Sequence, residues 1–381
     1  MLTFYEFFAG SGMARAGLGP EWTCLLANDL DVKKASAYKQ NWGENEILVR
    51  DVGLLSTGDL AETADLAWAS FPCQDLSLAG MGAGLKGSRS GTFWPFWKLI
   101  QALSREGRRP KIVVLENVCG ALTSHDGSDF RSIIEALQHE GYRCGALIID
   151  AALFLPQSRP RLFIIGVRDE IEIDDALIAG EPEAPFHTAA LKTAFGYLPK
   201  GARSGWIWWR LPVPPQRRQR FADILEETPS GVSWHTEQET RRLLSQMSPV
   251  NLAKMEKAKH MNRLMAGTLY KRTRPDETGA RVQRAEVRFD DIAGCLRTPN
   301  GGSSRQTIVM VNGNKVKSRL ISPRETARLM GLPDTYVLPN KYNDAYHLTG
   351  DGVAVPVVRH LAQHIVEPLI RNIPVAVEPA A

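Results

Sequence analysis

A chain of 381 residues with 44% hydrophobic and 23% charged residues can bury a full core, which excludes a disordered or fibrous protein and predicts one large or two unequal domains. No apolar run approaches the ~18 residues of a membrane span, and Met1-Leu2-Thr3-Phe4-Tyr5-Glu6 lacks the basic start of a signal peptide, so a cytoplasmic location is expected. The net charge of +4 hides an asymmetry: Gly201 to Ser318 holds 21 Lys and Arg against 11 Asp and Glu, leaving 25 against 31 elsewhere, which favours a polyanionic partner over a merely solvated basic surface.

Short β-rich runs alternate with helical patterns through the first 170 residues, the signature of a doubly wound, mostly parallel α/β sheet. Strands are predicted at Thr3 to Phe8, Trp22 to Ala27, Ile47 to Val49, Leu66 to Ser70, Ile112 to Leu115, Arg143 to Ile149 and Leu162 to Val167, with helices near Phe93 to Glu106 and Phe130 to His139. Such sheets bind ligands at the carboxyl ends of their strands.

The first strand runs into Phe8-Ala9-Gly10-Ser11-Gly12, a glycine-rich turn without the GxGxxG spacing that suits a pyrophosphate. The second ends in Asn28-Asp29-Leu30, about twenty residues on, with an acid suited to a ribose hydroxyl pair. Asp51, followed by Val52 after the third strand, adds an acceptor for an adenine amino group. Together these outline a pocket for an adenosine without phosphates. Singly, a glycine turn is also a tight connection and a strand-end acid also a helix cap.

Phe71-Pro72-Cys73-Gln74 closes the fourth predicted strand, ahead of Gly80, Gly82, Gly84, Gly87 and Gly91. Pro72 fixes its own φ and biases Phe71 toward an extended conformation, so the thiol is presented from a defined backbone where the strand stops. A reactive cysteine needs that platform; the alternative is a small buried hydrophobe. Glu116-Asn117-Val118 brings a carboxylate to the same sheet edge, and Gln157-Ser158-Arg159-Pro160-Arg161 brings two guanidinium groups. These are suited to holding the carboxylate, a base carbonyl or a phosphate, or to a surface ion pair. The five cysteines, Cys24, Cys73, Cys119, Cys144 and Cys295, form neither a disulfide framework nor a zinc spacing, so reduced thiols and no metal are expected.

Beyond Asp169 the chain turns acidic and proline-rich, a linker from Glu170 to Pro185, and then irregular, with one helical segment from Pro249 to Met265. Trp206, Trp208, Trp209, Arg210, Arg217, Arg218 and Arg220 enrich the basic part. Ser322-Pro323-Arg324-Glu325 is a capping box with proline at the first helical position, and Gly331-Leu332-Pro333 closes that helix. An amphipathic run from Val357 to Ile370 returns to the first domain, and Pro374 to Ala381 is a frayed tail.

Six blocks in this order, Phe8-Ala9-Gly10-Ser11-Gly12, Phe71-Pro72-Cys73-Gln74, Glu116-Asn117-Val118, Gln157-Ser158-Arg159-Pro160-Arg161, Arg324-Glu325-Thr326-Ala327-Arg328-Leu329-Met330-Gly331 and Gly350-Asp351-Gly352-Val353, resemble those of bacterial or phage-type DNA (cytosine-5)-methyltransferases. The resemblance spans nearly the whole chain. It implies a catalytic and cofactor domain of the S-adenosylmethionine-dependent type at residues 1–171, a linker and smaller irregular target-recognition domain at 172–318, and a C-terminal segment, 319–381, returning to the first.

By resemblance, Cys73 is the nucleophile that adds to C6 of cytosine, so that C5 takes the methyl of S-adenosylmethionine. Glu116 hydrogen-bonds N3, Asn117 helps set loop geometry, and Arg159 and Arg161 orient the base and lower the thiol pKa. Phe8, Gly10, Gly12, Asp29, Leu30, Asp51, Pro72 and Phe93 are carried over as cofactor contacts, with Ala9, Ser11 and Val52 beside them. Asp351 stands where the family usually has asparagine, and the direction of its effect on cofactor affinity is open.

The target base is inaccessible in a duplex, so the resemblance implies base flipping, with Gln74, Ser77, Arg89 and the glycine-rich loop closing behind it. The loop Arg297 to Gln306 is the candidate for base reading or flip support: Gly301 and Gly302 let the backbone approach, and Arg297, Arg305 and Gln306 read base edges or bind phosphate. The expected partner is double-stranded DNA, met by a monomer at the nucleoid without an obligate protein partner. An RNA methyltransferase is the alternative, disfavoured by the large basic insert. A non-catalytic DNA-binding regulator is disfavoured by the intact nucleophile, acid and arginine set, and a nucleotide-dependent dehydrogenase by the missing GxGxxG.

Overall fold

The structure, a computed structural model, describes residues 1–60, 62–72, 92–261, 263–275, 278–296 and 305–371. The chain forms two compact units, one of Met1–Asp150, Pro160–Pro214 and the residues from Val355 onward, the other of Ala151–Arg159 and Pro215–Ala354.

The first unit runs β1 (Leu2–Phe7), α1 (Met13–Leu18), β2 (Trp22–Asp29), α2 (Val32–Trp42), β3 (Ile47–Val49), β4 (Leu66–Ala69), α3 (Phe93–Arg105), β5 (Ile112–Val118), α4 (Ser128–His139), β6 (Tyr142–Asp150), β7 (Pro160–Arg168), α5 (Ala189–Gly196) and α6 (Lys200–Ser204). Its sheet has the order β3-β2-β1-β4-β5-β7-β6, with β7 antiparallel to both of its neighbours and the other pairs parallel. β4 is buried at every position and β5 at all but its last, as strands covered on both faces must be. α3 buries Phe93, Phe96, Trp97, Ile100 and Leu103, one stripe at helical spacing. α2 starts where Asp31 accepts the N–H groups of Lys33 and Lys34. The C-terminal helical run, residues 355–371, packs on α1, where Gly17 lets Val358 approach.

The second unit contains α7 (Glu237–Ser245), α8 (Pro249–Lys259), β8 (Met265–Pro275), β9 (Arg281–Arg288), β10 (Thr307–Asn312), β11 (Lys315–Leu320), α9 (Pro323–Leu329) and α10 (Tyr342–Asp351). Its antiparallel sheet has the order β11-β10-β8-β9, and Leu269, Ala285, Val287, Val309 and Val311 meet Met247 and Met255 in a separate core. Both capped helices obey the same rule: Thr236 with Glu239 opens α7, and Ser322 with Glu325 opens α9.

The smaller domain expected to be irregular is therefore built on a sheet. The helix expected to reach Met265 stops at Lys259, and Met265 already belongs to β8. Residues 172–214 pack in the first unit, where Ile207 N donates to Cys144 O at 2.9 Å and Trp209 bridges to Ile178. Trp206 and Trp208 form an aromatic cluster there with Phe195 and pack half-buried against the core of that unit. Residues 319–354 pack in the second unit, and the return to the first begins at Val355.

Candidate active site

β1 lies between β2 and β4, so the chain leaves its carboxyl end toward one side and comes back on the other, which opens a crevice at that edge. Three left-handed residues bend the turn that follows: Phe8 (φ 56), Gly10 (φ 57) and Gly12 (φ 81). A Cβ on Gly12 would stand 2.4 Å from Trp42 Nε1, so no side chain fits there. Trp42 in turn donates to the Ser11 carbonyl at 3.1 Å. Ala9 is buried, and its N–H reaches the Asn28 carbonyl at 2.9 Å.

Asp29 is held by two backbone donors, Gly10 N on Oδ2 and Asp31 N on Oδ1, each at 2.7 Å. Burial nevertheless pushes its carboxyl above the ordinary value. Asn28 donates to the carbonyls of Leu48 and Arg50, fixing the chain that leads to Asp51. Asp51 Oδ1 accepts Gly53 N at 2.8 Å and so caps the short turn Val52–Leu54, with Val52 buried. Leu30 is 66% exposed, an uncovered apolar side chain next to Asp29. One carboxylate for a diol, one acceptor for an amine and apolar surface at Phe8 and Leu30 fit an adenosine group without phosphates.

Beneath the turn lies Glu6, which nothing in the sequence marks. Its Oε1 accepts Arg15 N at 3.3 Å, while its Oε2 is buried with no hydrogen-bond partner among the described residues. Burial pushes its pKa up to about 8. Trp42 is equally unmarked, and Asn28 stands in the strand-end motif without an assigned role. The only signal for Trp42 is its spacing of four from Tyr38 on α2, both rings lying under the Arg15 guanidinium.

β5 carries the candidate acid. Because β7 runs antiparallel to β5, the start of β7 meets the end of β5, with Arg161 opposite Val118. Arg161 Nε thus lies 3.3 Å from Glu116 Oε1, and both side chains are largely buried. Asn117 Nδ2 donates to the Phe71 carbonyl at 3.1 Å, and its Oδ1 accepts Val118 N at 2.8 Å. Phe71 packs on Phe93 at 5.4 Å, and Phe93 stacks on Trp97 at 5.8 Å. Phe93 is 1% exposed, so it backs the Phe71-Pro72 corner from the core, whereas Pro72 is exposed.

Arg159, expected to orient the base, reaches into a set of backbone carbonyls. It is 2% exposed, belongs to the second unit, and donates to the carbonyls of Leu296 (3.1 Å), Gly350 (2.8 Å) and Gly352 (2.6 Å). Those bonds tie backbone segments of the second unit together. Asp351 lies exposed at the end of α10 in the same unit. Arg305 donates to Asn343 Oδ1 at 2.5 Å and lies over the Tyr342 ring, and Gln306 is buried, its backbone N–H donated to Tyr346. The structure thus brings Phe8, Gly10, Gly12, Asp29, Asp51, Pro72, Glu116 and Arg161 to one sheet edge. Cys73, Gln74, Ser77, Arg89, Arg297, Gly301 and Gly302 lie outside the described residues.

The model of the C-5 cytosine-specific DNA methylase family matches residues 2–367. Type II methyltransferase M.BsuFI of Bacillus subtilis is 26% identical over 371 residues, 97% of this chain and 73% of that relative. Type II methyltransferase M.HpaII of Haemophilus parainfluenzae is 26% identical over 389 residues, 96% of this chain and 90% of that relative. Among solved structures, S. pombe Dnmt2 methyltransferase shares the fold with a TM-score of 0.61 at 18% identity, covering 97% of this chain and 99% of that one.

Proposed function

Because the chain belongs to the C-5 cytosine-specific DNA methylase family, we propose that it methylates C5 of a cytosine flipped out of a specific site in duplex DNA, through a covalent bond to Cys73. The observation that carries this reading is the pairing of Glu116 with Arg161 at 3.3 Å on the strand whose next residue, Asn117, holds the Phe71 carbonyl. A carboxyl group and the approach to a cysteine are thereby set side by side at the edge that also bears the glycine turn.

Cys73, as thiolate, adds to C6 of the ring, and Glu116 as the carboxylic acid donates a proton to N3, so that the electron density pushed into the ring is accommodated and Glu116 is left as the carboxylate. Arg161 fixes the Glu116 carboxylate and adds positive charge, which favours a thiolate. Once C5 carries the methyl group, loss of its proton to water expels the Cys73 sulfur as thiolate and restores the ring. S-adenosylmethionine, when bound, supplies the electrophilic methyl group. Phe8, Gly10, Gly12, Asp29, Leu30, Asp51 and Val52 would hold it: Asp29 at the ribose diol, Asp51 at the adenine amine, Phe8 and Leu30 against the base. We take the acting species to be a monomer on duplex DNA at the nucleoid.

A 5-fluorocytosine oligonucleotide bearing the target site tests this directly. With cofactor supplied, wild-type protein should become covalently trapped on it, and Cys73→Ala should not, while keeping cofactor binding. Trapping that survives Cys73→Ala would remove the nucleophile assignment. Bisulfite sequencing of DNA from an expressing host should show modified cytosines within one short motif, and uniformly unmodified DNA would overturn the activity.

A further inference from the structure

β8 and β9 pair from Thr268 with Arg288 to Pro275 with Arg281, but β10 accompanies β8 only from Met265 to Leu269. On the other edge, Gln246 O takes the N–H of Ala285 and Asn251 Oδ1 that of Val287. Residues 270–275 and 281–286 therefore continue largely as a two-stranded ribbon. From Arg272 and Arg284 outward, their side chains are half-buried or exposed.

The two strands carry Lys271, Arg272, Arg274, Arg281 and Arg284 against Glu286, with Asp276 and Glu277 in the sequence between them. Glu286 pairs with both Arg274 (3.0 Å) and Arg272 (3.4 Å), and Arg272 also stacks on Tyr270 and donates to its hydroxyl. Arg284 makes no ion pair or side-chain hydrogen bond among the described residues, and it lies directly opposite Arg272 in the register. Like charges facing each other across a ladder destabilise a sheet, so folding alone gives no reason for this pair. An acceptor-rich ligand does.

We propose that this ribbon enters the major groove of the duplex substrate and that Arg284 reads a base edge there, an inference that rests on the DNA activity argued above. A major groove about 12 Å wide admits a two-stranded ribbon, and a guanidinium matches the paired acceptors of guanine. Arg284 sits at the middle of the ribbon rather than at its margin, and Glu286 already neutralises its neighbours Arg272 and Arg274, which are thereby less suited to gripping phosphates. Arg281, exposed on the opposite face at the outer end, is placed to meet the backbone.

Methylation of an oligonucleotide set that varies each position of the target site, with binding measured across a salt series, tests the proposal in wild type and Arg284→Ala. The expected result is a loss of about ten- to a hundredfold in kcat/KM at the preferred site, relaxed discrimination at one base pair, and an unchanged salt slope. A uniform loss on all sequences with a shallower salt slope would make Arg284 a phosphate contact and overturn the groove reading. Unchanged kinetics would remove the ribbon from the interface. Arg284→Gln, which keeps the strand and removes the charge, gives the same readout should the alanine variant fold poorly. Failure of the underlying activity would look different, since wild type would then methylate none of the set.

Discussion

Asn117 Nδ2 donates to the carbonyl of Phe71 at 3.1 Å, tying the end of β5 to the chain two residues before Cys73. The amide cannot turn over, because its oxygen already holds Val118 N. In Asn117→Asp the bond to Val118 survives and the donation to Phe71 is lost. That variant should lose roughly a hundredfold in kcat, the scale of an ångström misplacement at a reacting centre, with cofactor affinity nearly intact. Single-turnover rates beside calorimetric cofactor binding check it; equal losses in both would make Asn117 a general structural prop.

Glu6 predicts a pH dependence. Its pKa rises from the ordinary 4.5 to about 8 because the charged form is desolvated. The folded protein therefore holds a proton that the unfolded chain releases above 4.5, and stability falls as pH rises between those two values, by up to about 1.4 kcal/mol per pH unit. Glu6→Gln, which keeps the neutral shape, should be flat over the same window, so the variant gains on wild type from pH 5 to pH 8. Urea midpoints of both proteins at three pH values decide it. Parallel curves would mean that Glu6 is charged in the folded state.

A third expectation concerns Arg319 and Glu325, which form a two-pronged pair at 2.7 and 2.6 Å with side chains 1% and 0% exposed. Glu325 also accepts the N–H groups of Ser322 and Glu226, and Arg319 lies over the Trp234 ring at 5.1 Å. Glu325→Gln leaves a buried guanidinium without its counter-charge and should cost about 3–5 kcal/mol in the second unit. Replacing Arg319 by Met in the same variant should recover much of that. Denaturation followed by Trp234 fluorescence would show it, and a loss that the second change deepens would mean the pair acts through separate contacts.

The first unit was legible because its strands are apolar runs buried on both faces, a pattern that survives without tertiary knowledge. Its strand ends were not. β5 was expected to stop at Leu115, yet it continues through Glu116 and Asn117, since β7 supplies ladder partners to polar residues that no propensity would extend. In the second unit β8 and β9 mix cations with small residues and read as irregular; only the register reveals alternation, with Leu269, Ala285 and Val287 turned to one core. Among the candidate residues, Glu116, Arg161, Asp29 and the glycine turn can be assigned to one sheet edge from the sequence, and that is where they lie. The contacts of Arg159 cannot be read that way, because its acceptors at Leu296, Gly350 and Gly352 are far away in sequence. Glu6 looked like any alternating strand position.

Nine residues, 151–159, leave the β6–β7 hairpin of the first unit and pack as part of the second, where Gln157 meets Leu296 and Leu329 and Arg159 grips Leu296, Gly350 and Gly352. The chain thus crosses between its units four times, so neither is a cassette that can be cut out at one seam. Transplanting the second unit into a relative to change its target would have to carry this stitch along with residues 215–354, or the graft would arrive with its lining torn.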